Sequence, residues 1–260
     1  MVTMKQVGLN VASDPLMSLE YVGIKGGMVI LVADDPGPIS SQTEQDTRHF
    51  SRFSKLPCFD PSSAQEAYEM IQEAFEYSEK YGTPVFLRPT TRVCHGYASI
   101  MVKDETEYTH HQPEGFIKDS KRWVIFPRLS FMNHKKIEAR NQELSDIFSS
   151  YEKNTIHPSC DAFKDSKKGI ATGGISYTYT METLKKTGMV KTLKIATPHP
   201  FPEKLAVDFL SGLDEVLCLE ELDPVIEREL IYICGKYHLP TRISGKLSGH
   251  TACAGENTRD

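Results

Sequence analysis

Gly26-Gly27-Met28-Val29-Ile30-Leu31-Val32-Ala33-Asp34-Asp35-Pro36-Gly37 sets six consecutive apolar residues between a glycine pair and an acidic, proline-bearing exit. A strand apolar at both alternating sets of positions is covered on both faces, as in a parallel sheet. The loop that follows, Pro38-Ile39-Ser40-Ser41-Gln42-Thr43-Glu44-Gln45-Asp46-Thr47-Arg48, starts at the strand's carboxyl end. Open α/β sheets bind ligands at that edge. Two readings fit the loop's composition: a ligand-binding loop, or an Asx- and Ser-rich turn that leads into a helix.

On the amino side of this strand, Met1 to Asn10 reads as a strand or turn remnant with Gly8 at a bend. Asp14-Pro15 then offers a helix cap followed by proline at the first helical position, with the helix ending near Gly23. On the carboxyl side, Glu44 to Phe53 reads as a helix with His49, Phe50 and Phe53 inward, and Lys55 to Phe59 as a short strand. Ser63 and Glu66 have the spacing of a capping box, in which hydroxyl and carboxylate each satisfy an orphan amide. Ala67, Tyr68, Ile71, Ala74, Phe75 and Tyr81 continue it as an amphipathic helix that Gly82 stops. Val85-Phe86-Leu87 completes a β-α-β unit.

From Arg92 to Asn154 the pattern weakens. Asp104 to His111 is polar loop, Trp123-Val124-Ile125-Phe126 suits a strand before Pro127, and Ser130 to Lys153 carries a thin stripe of Ile137, Leu144, Ile147, Phe148 and Tyr151. That stripe predicts a bridging helix. Beyond it, strands at 169–171, 193–196 and 215–219 alternate with helices at 175–187, 202–211 and 224–234, closed by Gly188, Gly212 and Gly235. This order predicts a parallel sheet with helices on its faces. Residues 239–260 read as a polar tail without a core.

The 260 residues hold 39% hydrophobic and 25% charged residues and a net charge of −5, as expected of a globular protein. The absence of a basic run argues against nucleic acid as a partner. No apolar stretch approaches the roughly 20 residues of a membrane span, and the opening residues lack a signal-peptide core; the expected location is cytoplasmic. Six scattered cysteines without a C-x-x-C pair read as reduced thiols, and the nine histidines show no zinc spacing.

Few side chains announce chemistry. Thr172-Gly173-Gly174 leaves a strand and opens a helix, where backbone amides can cradle phosphate, yet it lacks a G-x-G-x-x-G or P-loop pattern and reads better as a packing turn. His199 sits between prolines with no partner. Asp223 is explained as a helix cap. Arg88 and Arg92 either hold an anion or make exposed ion pairs.

Several segments together carry a specific resemblance: Thr3-Met4-Lys5-Gln6-Val7-Gly8-Leu9-Asn10, Ala33-Asp34-Asp35-Pro36 with Ser40-Ser41-Gln42-Thr43-Glu44-Gln45-Asp46, Arg88-Pro89-Thr90-Thr91-Arg92, Glu220-Glu221-Leu222-Asp223-Pro224 and Gly245-Lys246-Leu247-Ser248-Gly249-His250. In this order they resemble the alpha subunit of indolepyruvate ferredoxin oxidoreductase. The resemblance implies a thiamine diphosphate enzyme that oxidatively decarboxylates aryl 2-oxoacids to acyl-CoA and passes electrons through iron-sulfur clusters to ferredoxin. It implies an α/β fold: residues 1–96 as the carboxyl part of a pyrimidine-type thiamine diphosphate-binding domain, 97–154 as a connection, and 155–236 as a transketolase C-terminal-like three-layer domain with a parallel sheet. Residues 237–260 would be a tail toward a diphosphate-binding domain.

The family's cofactor-activating glutamate, its G-D-G metal site and its cluster cysteines have no counterpart in these 260 residues, so an internal fragment without activity of its own is expected. Thiamine diphosphate, Mg2+ and [4Fe-4S] clusters would belong to the full enzyme and none would bind this chain tightly. The implied partners are the beta subunit, ferredoxin and coenzyme A, with self-association of the fragment as a further expectation. Asp35, Ser40, Ser41, Gln42, Thr43, Glu44 and Arg48 are the candidates to line or border the cofactor and substrate cleft. The same loop would also suit a subunit interface, and the competing expectation is a non-catalytic docking and assembly module.

Overall fold

The structure, a computed structural model, describes all residues except 38, 40, 109–111, 114 and 259–260. β1 (Val2–Lys5) and β2 (Val29–Ala33) pair in parallel, β4 (Val85–Leu87) follows on the other side of β2, and β3 (Cys58–Phe59) forms the far edge. All pairs in this four-stranded sheet are parallel. The alternation of β2 explains why its sequence is apolar throughout. Ile30 and Val32 pack with Leu9 and Leu16 of α1 (Gln6–Val22), while Val29 packs on the opposite face with Met70 and Ala74 of α3 (Ala64–Tyr81).

A second, five-stranded sheet has the order β5 (Thr155–His157), β7 (Lys191–Ile195), β6 (Lys168–Gly173), β8 (Glu215–Leu219), β9 (Arg242–Ser244). Its pairs are parallel except for the antiparallel edge β5. One face is covered by α8 (Glu203–Leu210) and α9 (Val225–Tyr237), which bury Phe209, Leu210, Ile226, Leu230 and Ile233. α7 (Gly174–Thr187) connects β6 to β7. Linking the two sheets is α6 (Pro127–Phe148), whose Leu144 and Phe148 enter the first sheet's core beside Ala196 of the second unit.

Several local expectations change. The first helix starts at Gln6, not near Asp14, so Gly8 is helical and Pro15 lies inside the helix. At Gly8 a Cβ would come within 2.9 Å of Met4 Cβ, so close packing against β1, not a bend, demands glycine. α2 (Thr47–Ser54) turns a polar face inward: Thr47, Arg48, Ser51 and Ser54 are buried, whereas Phe53 is 76% exposed. Residues 123–126 form no strand. Ser120–Trp123 is a short helix, α5, and Phe126 precedes Pro127, which opens α6 at a position where its missing N–H costs nothing. α4 (Thr91–Cys94) is one turn long.

Gly235 lies within α9, which closes instead at His238 in left-handed conformation, and Pro202 and Pro224 precede their helices. The tail is not devoid of structure, because β9 extends the second sheet. The capping expectation for α3 holds in modified form. Ser63 accepts from the Glu66 amide at 3.1 Å, but the Glu66 carboxylate reaches the amide and hydroxyl of Ser62 at 2.6 and 2.5 Å.

Candidate functional site

Four strands are followed directly by a charged residue at their carboxyl edge: Asp34 after β2, Asp60 after β3, Arg88 after β4 and Glu220 after β8. All four are buried, at 2% exposure or less. Parallel pairing places the first three side by side. Arg88 Nε donates to Asp34 Oδ2 at 2.7 Å and Nη1 to both Asp60 oxygens at 3.2 Å, while Nη2 lies 3.7 Å from Asp46 Oδ1. The Asp34 carboxylate also accepts from the amide and hydroxyl of Thr47, at 2.9 and 2.6 Å, which pins the start of α2. Arg88 is thus a buried hub, and Arg92 is the exposed partner of Glu256 at 2.7 Å.

Arg48 performs the same task between the two sheets. Its Nη2 and Nε donate to Asp46, Nη1 donates to Glu220 Oε2 at 2.7 Å, and Nη2 also meets the carbonyls of Glu221 and Asp223. Glu220 in turn accepts from the amides of Val225, Ile226 and Glu227 at 3.0–3.1 Å. The first turn of α9 is therefore capped by Glu220, not by Asp223. A carboxylate at a helix amino end is held both by the orphan amides and by the dipole.

Burial sets the charge states within this network. It raises the carboxyls of Asp34, Asp60 and Glu220 despite their arginine partners. At Asp46 burial also opposes ionisation, but Arg48 and Arg88 overcome it and hold the carboxyl well below its usual range. Glu221, buried and facing Arg88 and Glu256, is raised to about 7. Its Oε2 and Arg88 Nη2 are buried without hydrogen-bond partners among the described residues.

Of the loop residues singled out from sequence, Asp35 is buried, accepts from Thr91 Oγ1 at 2.7 Å and pairs with Lys5 and Ser41. Burial disfavours its charge, yet these hydrogen bonds outweigh it and lower the carboxyl below its ordinary value. Ser40 lies outside the described residues. Gln42 and Thr43 are exposed at the loop's crest, and the Thr43 carbonyl accepts from Gln6 Nε2 at 2.8 Å. Glu44 accepts from the Gly255 amide at 2.9 Å. Arg48 stands apart from the others, buried in the network just described.

The Thr172-Gly173-Gly174 turn is a packing turn. A Cβ at Gly173 would lie 2.7 Å from the Ile195 carbonyl, and Gly174, at φ +51, faces the Asp60 carboxylate at 3.3 Å. An acidic neighbour there does not suit phosphate. His199 is half-buried with its Nε2 out of contact with solvent, and desolvation together with Arg52, Arg140 and Lys55 lowers it to about 3, so it is neutral. Sequence reasoning missed Asp34, Asp46, Asp60, Glu220 and Glu221 as parts of one network. For Asp34, Asp60 and Glu220 the signal was positional, a charge directly after the last residue of a buried strand, whereas Asp46 is the cap of α2 and Glu221 lies one residue further on.

No family model matches the chain. Indolepyruvate oxidoreductase subunit IorA of Methanothermobacter thermautotrophicus is 41% identical over 248 residues, covering 95% of this chain and 39% of that protein. The IorA subunit of Pyrococcus abyssi is 40% identical over 235 residues, covering 88% and 36%. Over its matched length this chain is similar to the IorA subunits of indolepyruvate oxidoreductases. It spans less than two fifths of the length of these relatives. Among solved structures it resembles 2-oxoglutarate:ferredoxin oxidoreductase from Magnetococcus marinus, determined with 2-oxoglutarate, coenzyme A and succinyl-CoA bound. The TM-score is 0.66 at 13% identity, over 94% of this chain and 49% of that one. A split-gene transketolase described as an inactive beta4 tetramer aligns at TM-score 0.53 and 15% identity, over 94% and 65%. At such identities the two structures speak to the fold alone, and they agree with the paired α/β units expected from sequence.

Proposed function

We propose that this chain forms part of a ferredoxin-dependent 2-oxoacid oxidoreductase that decarboxylates aryl 2-oxoacids, indolepyruvate among them, to acyl-CoA with thiamine diphosphate. The observation that carries the reading is the 34–48 loop: it crowns the carboxyl edge of a parallel sheet, and its polar crest is held outward by a rigid buried base. The residue-level expectations for that loop are part of the proposal. Ser41, Gln42, Thr43 and Glu44, with Ser40, border the cleft, whereas Asp35 and Arg48 act as positioning residues, since other groups of the chain occupy their side chains.

The fit to each implied group differs. Among the described residues no group of three or more His, Cys, Asp or Glu side chains is arranged to hold a metal ion. The six cysteines are free, with Cys58, Cys218 and Cys234 buried on different elements. These residues do not fit Mg2+ or a [4Fe-4S] cluster. The exposed hydroxyl and amide groups of Thr43 and Gln42 do fit as hydrogen-bonding wall residues beside thiamine diphosphate, which supplies the nucleophilic carbon and electron sink for decarboxylation when bound. This chain's own share is orientation: the Asp34–Arg88–Asp60 base keeps the loop in one geometry and keeps water from its root.

The beta subunit, ferredoxin and coenzyme A are the partners of this reading, and the cytoplasm its location; no helix among the described residues is long and apolar enough to cross a membrane. A docking and assembly role is the second reading, favoured by the exposed apolar side chains Tyr97, Met101 and Phe116 on the segment before α5, which also suit self-association. The assembled oxidoreductase carrying Gln42→Ala with Thr43→Ala separates the two. Loss of one or two wall hydrogen bonds raises KM for the oxoacid or cofactor about 5- to 30-fold. Unchanged kinetics together with weakened subunit assembly overturns the cleft reading. The isolated chain, titrated with thiamine diphosphate and Mg2+, shows no tight binding.

A further inference from the structure

Residues 251–258 lie as a band across the carboxyl edges of both sheets. The Gly255 amide donates to Glu44 Oε1 at 2.9 Å, in the loop after β2. Glu256 accepts from Arg92 Nη2 and Nε at 2.7 and 3.0 Å, on the helix after β4. The Asn257 amide donates to Glu221 Oε1 at 3.1 Å, in the loop after β8, and Asn257 Nδ2 donates to Ser176 Oγ at 2.8 Å, in the first turn of α7. Gly37 approaches the same band, since a Cβ there would sit 3.6 Å from Gly255 Cα. One short stretch of chain thereby gathers two loops and two helices from two units.

The four anchors are unequal. Arg92 is more than half exposed, so its pair with Glu256 exchanges readily with water and contributes little. Glu221 is only 4% exposed, and its second carboxylate oxygen has no hydrogen-bond partner among the described residues. A carboxylate so placed is costly when charged, and lifting the band would return it to water. Closing the band and keeping a proton on Glu221 therefore favour one another.

We propose that residues 251–258 are a proton-linked strap, with Glu221 as its latch, that fixes the 34–48 loop and α4 of the first unit against α7 of the second. The inference goes beyond the catalytic reading and does not depend on it. Burial is the largest influence on Glu221. The Asn257 amide, Arg88 and the neighbouring Thr90 hydroxyl favour its charge, Glu256 opposes it, and together they leave it near 7. Arg92 faces the same carboxyl from α4 and is itself held by Glu256. Glu220, the neighbouring acid, is engaged by Arg48 and the amides of α9.

The sign follows from the raised value. With the strap open Glu221 titrates near an ordinary carboxyl, and with it closed near 7, so closure is tightest below pH 4.5 and weakens as pH rises through 7. Between pH 6 and 8 the closed fraction relative to the open falls about tenfold. The test is amide hydrogen exchange of Gly255 and Asn257 in the whole chain at pH 6 and pH 8, each corrected to the intrinsic exchange rate, with β6 amides as the internal measure of folding. Protection at the strap falls about tenfold across this interval in the unmodified chain while β6 protection holds, and Glu221→Gln, a neutral isostere, abolishes the difference. Strap amides that exchange at the free rate at pH 6, or protection that is the same at both pH values in the unmodified chain, overturn the proposal. That comparison stands even if the variant fails to fold.

Discussion

Arg88 concentrates the energetics of the site. It holds Asp34 and Asp60 within hydrogen-bonding distance at a place none of the three shares with solvent. Removing one member of such a buried set strands the others, which is worse than never having buried them. Arg88→Ala lowers the unfolding free energy by about 3–5 kcal/mol. Denaturant titration at pH 7 checks this; a loss below about 1 kcal/mol would mean that the carboxyls are neutral and need no counter-charge. Arg88→Lys recovers only part, because a point charge cannot span both acids as the planar fork does. In the sequence Arg88 was visible as a charged residue at a strand end, but the choice between anion ligand and exposed ion pair was undecided. The ion-pair alternative assumed exposure, and Arg88 is instead buried among Asp34, Asp46 and Asp60. The acids that answer Arg88 come from 28 to 54 residues away, a separation that no local pattern encodes.

At the scale of elements, legibility tracked how far each element's own sequence decides its environment. β2, α3, β6 and β8 carry apolar patterns that only a covered position satisfies, and they form where the residues said. α2 defeated the same logic. Its phenyl rings argued for an apolar inner face, but Asp46 caps its first turn at 2.9 Å and Arg48 ties that turn to Glu220, so the rotation is set by charge pairing and Phe53 faces water. Phe53→Ser accordingly changes stability by no more than about 0.5 kcal/mol, as a thermal or urea melt would show, whereas an inward Phe53 would cost about 3–5 kcal/mol. The cap of α3 offers the converse case. Ser63 was legible because its bond to the Glu66 amide is local, and Ser63→Ala costs about 1 kcal/mol. The diversion of the Glu66 side chain to Ser62 was not, since Lys194 of the second sheet pairs with the same carboxylate and draws it across.

For the molecule as a whole, the question is what makes two sheets behave as one. The seam between them has a charged and a neutral part. Arg48 joins Asp46 of the first unit to Glu220 and two carbonyls of the second. Beside it, the Cys58 amide donates to the His199 carbonyl at 2.7 Å, the Asp60 amide to the Ala196 carbonyl at 2.8 Å, and Ser145 of α6 to the Phe201 carbonyl at 2.6 Å. Phe148 and Ala196 share one apolar cluster across the same line. The neutral contacts come from both sheets and from the bridging helix, so deleting the charged tie leaves the units joined. Arg48→Ala strands Asp46 and Glu220 in a buried place and lowers the unfolding free energy by about 3–5 kcal/mol. Because the neutral seam survives, β2 and β6 still lose amide protection together, in a single transition. Separate transitions for the two sheets would show instead that Arg48 alone couples them, and that the apolar bridge through α6 is too small to hold one sheet when the other unfolds.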